Sequence, residues 1–268
     1  MYGMENASIV CEAEGLLEAP LVHADGSVLF VDTTGGGVHH WTSTGTETVL
    51  GRRRGIGGLA AHADGGLLVS GRDLTYADHG ETSTILAPDG ATGINDIAVA
   101  ADGSLFAGVL RHRPALGETA PPSELLQIAT DGSVRIVADD LLWPNGIGFS
   151  PDGASTYVSE YAASQVRILG GDGSEVFAEA PRGECDGLAV DVEGGVWVAL
   201  GSGGGIARFT QAGELDEIIE LPGRFVSSLA FAGTSIYVTT AGALLRLHVG
   251  VAGVPVSDAT IPTGRTLG

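Results

Sequence analysis

Four oxygen-bearing side chains stand at equivalent places in a repeating sequence: Glu14, Asn95, Asn145 and Asp186. Each opens a short pair that leads into an apolar run: Glu14-Gly15-Leu16, Asn95-Asp96-Ile97, Asn145-Gly146-Ile147 and Asp186-Gly187-Leu188. Gly57-Gly58 and Ser227-Ser228 occupy the two remaining copies. Two carboxylates and two amide carbonyls converging on one point make a hard-oxygen cage. Such a cage selects Ca²⁺ first, with Mg²⁺ or Mn²⁺ as less specific occupants. A metal held there polarises a carbonyl and lowers the pKa of bound water. Asp186 is then both ligand and candidate general base, one oxygen on the metal and the other holding the water.

These residues can meet only if the repeat closes into a ring. The copies turn at Asp25-Gly26, Asp64-Gly65, Asp102-Gly103, Asp152-Gly153, Glu193-Gly194 and Ala232-Gly233, with successive glycines 39, 38, 50, 41 and 39 residues apart. Asp-Gly between apolar runs is a hairpin signal. In the four central copies the candidate ligand position falls eight residues before the turn glycine; the first hairpin is longer and the last shorter. Four strands in each unit of roughly 40 residues is the signature of a propeller blade. The expectation is an all-β, six-bladed β-propeller of four-stranded antiparallel blades around a central channel. It forms one domain over residues 1–268, with a strand at about 7–11 closing the last blade beside Leu244–His248. Inner strands line the axis of such a fold, so equivalent entry positions converge. Loops returning to the same mouth bring Arg72, Arg111, His112, Glu160 and Tyr161 forward as candidate substrate contacts, beside Asn95. The proline-bearing segment from Arg111 to Ser123 accounts for the 50-residue spacing and is a candidate lid.

Composition narrows the function classes. The 268 residues include 43 glycines and are 44% hydrophobic, which excludes disorder, and no glycine period suggests collagen. Lysine is absent, removing Schiff-base chemistry and a P-loop. A net charge of −20 disfavours nucleic acid and acidic membranes as partners. The expected partner is a small-molecule substrate, and the expected state is a monomer or small homo-oligomer. Two cysteines make no disulfide framework, and the first residues lack a secretory pattern, so a cytoplasmic location is expected.

The motifs carry a family resemblance. Glu14-Gly15, Ile94-Asn95-Asp96, the run from Trp143 to Gly153 (WPNGIGFSPDG), the run from Asp186 to Asp191 (DGLAVD), Tyr237–Gly242 and Gly250–Pro255 together resemble the senescence-marker-protein, gluconolactonase and luciferin-regenerating-enzyme family. The resemblance implies a six-bladed propeller with a divalent metal in its mouth, Ca²⁺ foremost and Mg²⁺, Mn²⁺ or Zn²⁺ as alternatives. It places the metal ligands at Glu14, Asn145 and Asp186, with Asn95 touching metal, water or substrate. Members hydrolyse lactones and some hydrolyse organophosphates. The chain departs from the family at Gly93, where sugar-lactone members carry arginine, at Leu16 in place of proline, and at Glu160-Tyr161 in place of Asp-Ser. The expected function is a metal-dependent hydrolase of a lactone or related ester. Two rivals use the same fold: a metal-dependent lyase, isomerase or condensing enzyme, and a non-catalytic calcium-binding propeller.

Overall fold

The computed structural model describes residues 7–267 apart from 52, 54, 172, 222, 223 and 265. These residues form twenty-two strands. β1 (Ala7–Val22), β2 (Val28–Asp32), β3 (Val38–Thr42) and β4 (Gly45–Leu50) come first. Next are β5 (Leu59–Ala61), β6 (Leu67–Val69), β7 (Leu74–Asp78) and β8 (Glu81–Leu86), then β9 (Gly93–Val99), β10 (Leu105–Leu110), β11 (Pro122–Ile128) and β12 (Val134–Leu142). β13 (Pro144–Phe149), β14 (Thr156–Glu160), β15 (Gln165–Gly170) and β16 (Gly173–Glu179) precede β17 (Leu188–Val190), β18 (Val196–Ala199), β19 (Gly205–Phe209) and β20 (Leu215–Glu220). β21 (Val226–Ala232) and β22 (Ser235–His248) end the series.

The turn chemistry explains the hairpins. Asp25 Oδ1 accepts both the backbone N–H of Ser27 at 2.9 Å and its hydroxyl at 2.7 Å, while Gly26 takes φ of 84°. Asp102 and Ser104 repeat the arrangement around Gly103, at φ of 83°. The carboxylate replaces a missing backbone partner, and glycine accepts the left-handed conformation without a Cβ clash.

An all-β propeller forms, but not as six four-stranded blades. There are five sheets, four of four strands and one of six, the last in the order β21-β22-β1-β2-β3-β4. The cause is β1. Its first part pairs with β22, from Ala7↔Leu247 to Leu16↔Ala241, and its second part with β2, from Leu17↔Asp32 to Val22↔Val28. One unbroken strand therefore fuses the first and last sequence repeats into a single sheet.

The innermost strands β1, β5, β9, β13, β17 and β21 pack side by side in that order, and β21 returns to β1. Apolar clusters fill the wedges between sheets. Leu68, Leu74 and Ile85 meet Ile97 and Leu105 of the next sheet, and Trp197 and Ile206 meet Leu229 and Ile236. Full burial of each such side chain is worth about 1.5–3 kcal/mol. The C-terminal segment straps across the face that carries the inner hairpin turns: Val254, Ala259 and Thr260 donate backbone hydrogen bonds to Val190, Ala61 and Gly103. No helix among the described residues is long and apolar enough to cross a membrane.

Candidate functional site

The entries of the inner strands meet on the axis and are stitched together by hydrogen bonds. Ser70 Oγ accepts the N–H groups of Gly57 and Gly58 and donates to the Asn95 carbonyl. Asn95 Nδ2 donates to the Pro144 carbonyl at 3.2 Å. The N–H of Gly146 reaches the Asp186 carbonyl at 3.2 Å, and that of Gly187 reaches Ser227 at 2.8 Å. The Ser227 hydroxyl closes the circle on the Leu17 carbonyl. The approach is tight: a Cβ on Gly146 would lie 2.2 Å from the Leu188 nitrogen, and one on Gly187 2.2 Å from Ser228 Oγ. The Asn-Gly and Asp-Gly pairs thus combine a polar group facing the hub with a glycine that lets the next strand come close.

Three carboxyls crowd this hub, and one is Glu18 rather than Glu14. Glu14 sits where the β1–β22 register slips, and it is exposed. Glu18 is pushed well above the usual carboxylate range by burial, then by the charges of Asp186 and Asp96. Asp186, 2% exposed, is likewise pushed well up, first by burial and then by the charge of Asp96. Asp96 rises to about 7, again through burial, although the N–H groups of Ile97 and Ile147 bond to it. Crowded carboxyls in a low-dielectric centre favour the protonated form. Asp186 in its protonated form can donate a hydrogen bond from this position. The signal for Glu18 was available: it stands eight positions before Gly26, as in the central repeats, and Pro20 follows two residues later.

The expected metal cage is not assembled. Glu14 lies off the hub, and Asn145 turns its amide nitrogen, not its carbonyl, to Asp186 Oδ1. Among the described residues, no three His, Cys, Asp or Glu side chains are grouped to hold a metal ion. The Ca²⁺, Mg²⁺, Mn²⁺ or Zn²⁺ expected from the sequence thus finds no such cluster among the described residues. A metal-dependent lactonase-like hydrolase, with water activated on that ion, is accordingly not the function this geometry supports.

The remaining expected contacts separate. Arg72 is exposed on the loop after β6. Arg111 makes a fork with Glu124 at 3.0 and 2.7 Å and is spent on that pairing. Glu160, 1% exposed, accepts the Leu142 N–H and the Gln165 amide and faces Arg167 at 3.6 Å, so it clamps two strands. His112 and Tyr161 do come together, through a residue between them. The His112 ring stands edge-on to Trp143 with centroids 4.8 Å apart, and Trp143 packs on Tyr161 at 4.4 Å. His112 is 2% exposed, and neither ring nitrogen has a hydrogen-bond partner among the described residues. Burial lowers its pKa, so the ring is held neutral. Tyr161 is raised by burial and by the neighbouring charges of Asp186, Glu184 and Glu18, which puts this aromatic trio beside the acidic hub.

A closed ring of antiparallel sheets with polar side chains meeting on its axis defines a β-propeller with an axial site. Residues 16–242 match the SMP-30/gluconolactonase/LRE-like region, and the chain belongs to that family. A pentonolactonase (XacC) of Haloferax volcanii is 31% identical over 84% of this chain and 81% of its own length. A 6-deoxy-6-sulfogluconolactonase of Pseudomonas putida is 28% identical, covering 87% of this chain and 85% of its own. The crystal structure of a calcium-binding protein, regucalcin, from Agrobacterium tumefaciens superposes with a TM-score of 0.83 at 22% identity, over 97% of this chain and 99% of that one; at this identity it shows the fold alone.

Proposed function

We propose that the axial mouth binds a neutral small molecule rich in hydroxyl and carbonyl oxygens, of the sugar-lactone type. The observation that carries this reading is the crowding of Glu18 and Asp186 at the hub, beside Asp96, which favours protonated carboxyls on Glu18 and Asp186 and so presents hydrogen-bond donors to a carbonyl. Glu18, Asp186, Asn95 and Asn145 supply the polar contacts, and Trp143 with Tyr161 offers an apolar wall for the face of a ring. A hydrolysed, anionic sugar acid is repelled by a chain of net charge −20, so the ring-closed form is preferred. The relatives named for lactones support the ligand class. The function is ligand binding, with no step assigned to a metal.

Calorimetric titration with a pentono-1,4-lactone, with the corresponding open acid and with calcium chloride alone tests it. The lactone is expected to bind at least about tenfold more tightly than the acid, which corresponds to about 1.4 kcal/mol of repulsion from the negative chain. Glu18→Ala weakens that binding and Glu14→Ala leaves it unchanged. Equal affinity for lactone and acid refutes the reading. So does lactone binding that appears only once calcium is bound.

A further inference from the structure

Past the hub, every inner strand runs on into an apolar stretch, and together these stretches enclose an axial chamber of about 480 Å³. Small residues recur one step beyond the hub-proximal Leu or Ile, at Ala60, Ala98, Gly148, Ala189 and Ala230, and they keep the axis open. The volume lies within the roughly 300–1,000 Å³ of ordinary small-molecule sites, and a mostly apolar lining with few polar groups is their usual character. Asp96, at the inner end, is the one charged residue among the described residues that line it, and no basic residue does so. Its carboxyl takes N–H bonds from Ile97, at 2.8 Å, and from Ile147, which leaves capacity for a further donor. A buried carboxylate without a cation is costly, and an incoming positive head supplies what is missing. At the outer end Pro255 and the exposed Val256 form the rim, held there by the Val254 N–H on the Val190 carbonyl.

We propose that this chamber is a second ligand site, for a small primary alkylamine whose ammonium head pairs with Asp96 and whose hydrocarbon tail fills the axis toward Pro255 and Val256. The chamber extends past the mouth along the axis and takes a different class of ligand, with Asp96 at the boundary between the two. The tail gains by leaving water, and the head finds Asp96, the one charged residue among the described residues that line the chamber.

The test is calorimetric titration of the whole chain at pH 8 with n-alkylamines from butyl to octyl and with the alcohols of matching length. Affinity for the amines is expected to rise roughly fourfold per added methylene until the chamber is full. Alcohols of the same length bind at least about tenfold more weakly, as a charge-assisted contact is lost. Asp96→Asn brings the amines down to the level of the alcohols. Ala189→Phe and Ala230→Phe fill the chamber and abolish amine binding, with an unchanged near-ultraviolet circular dichroism spectrum showing an intact fold. Alcohols binding as tightly as amines, an affinity indifferent to chain length, or retained binding in folded filled variants would each overturn the proposal. Should the filled variants not fold, the length series and the amine–alcohol comparison in the unaltered chain decide it alone.

Discussion

Substituting Asp96 by asparagine should reshape the pH dependence of stability. Burial lifts its carboxyl from an ordinary value of 3.8 to about 7. Between those values the folded chain holds a proton that the unfolded chain has released, so folding loses free energy as pH rises. The contribution is fully present below about pH 4 and gone above about pH 7. Three pH units at 1.36 kcal/mol each give a total of about 4 kcal/mol, with a slope near 1.4 kcal/mol per unit in mid-window. That is a large share of the 5–15 kcal/mol typical of a folded domain. Urea unfolding of both proteins from pH 4 to pH 8, with the difference in unfolding free energy plotted against pH, isolates the residue. The unaltered chain should lose stability relative to Asp96→Asn across this window. A flat difference, or one that rises with pH, would show that the hub carboxyl is not held in its neutral form.

Three further outcomes are expected. Gly187→Ala places a methyl 2.2 Å from Ser228 Oγ and 2.7 Å from the Ser228 Cα, and should lower stability by about 1–3 kcal/mol in urea unfolding. Glu160→Ala removes a buried carboxylate and leaves the Leu142 N–H without its acceptor, while Arg167 keeps Asp140, at a cost of about 1–3 kcal/mol, whereas exposed Glu14→Ala changes stability by less than about 0.5 kcal/mol in the same assay. Burial pushes the Cys185 thiol up to about 12, with the Asp186 charge adding to it, so native protein should show no alkylation of Cys185 by iodoacetamide at pH 8 while urea-unfolded protein reacts.

Local chemistry was readable from the residues where it rests on a few neighbours. The Asp-Gly-Ser turns and the polar-glycine pairs before each inner strand are visible because each carries its own reason, a side-chain acceptor beside a residue free of Cβ. Closure of the last repeat by a strand at about 7–11 beside Leu244–His248 was readable, but the unbroken continuation of that strand into the first repeat was not. Nothing in Ala7–Val22 marks where pairing with β22 ends and pairing with β2 begins, since both halves are ordinary extended backbone and the partners lie more than 200 residues apart at one end. Glu18 was missed for a different reason. Glu14-Gly15 imitates the polar-glycine pair of the other repeats, and that local likeness outweighed the eight-residue count that singles out Glu18. Whether polar groups near an axis become a cage depends on which way an amide turns, as at Asn145, and pattern alone does not encode that choice.

The shared strand β1 also bears on how the molecule is made. Residues Ala7–Glu12 meet their strand partner only once Ala243–Leu247 have been synthesised, so a nascent chain carries an open strand edge through most of its translation. Such an edge is a template for pairing with another chain. Crowded expression should therefore favour exchange of this segment between two molecules, and slower synthesis or a holding chaperone should favour its capture by the chain's own last strand.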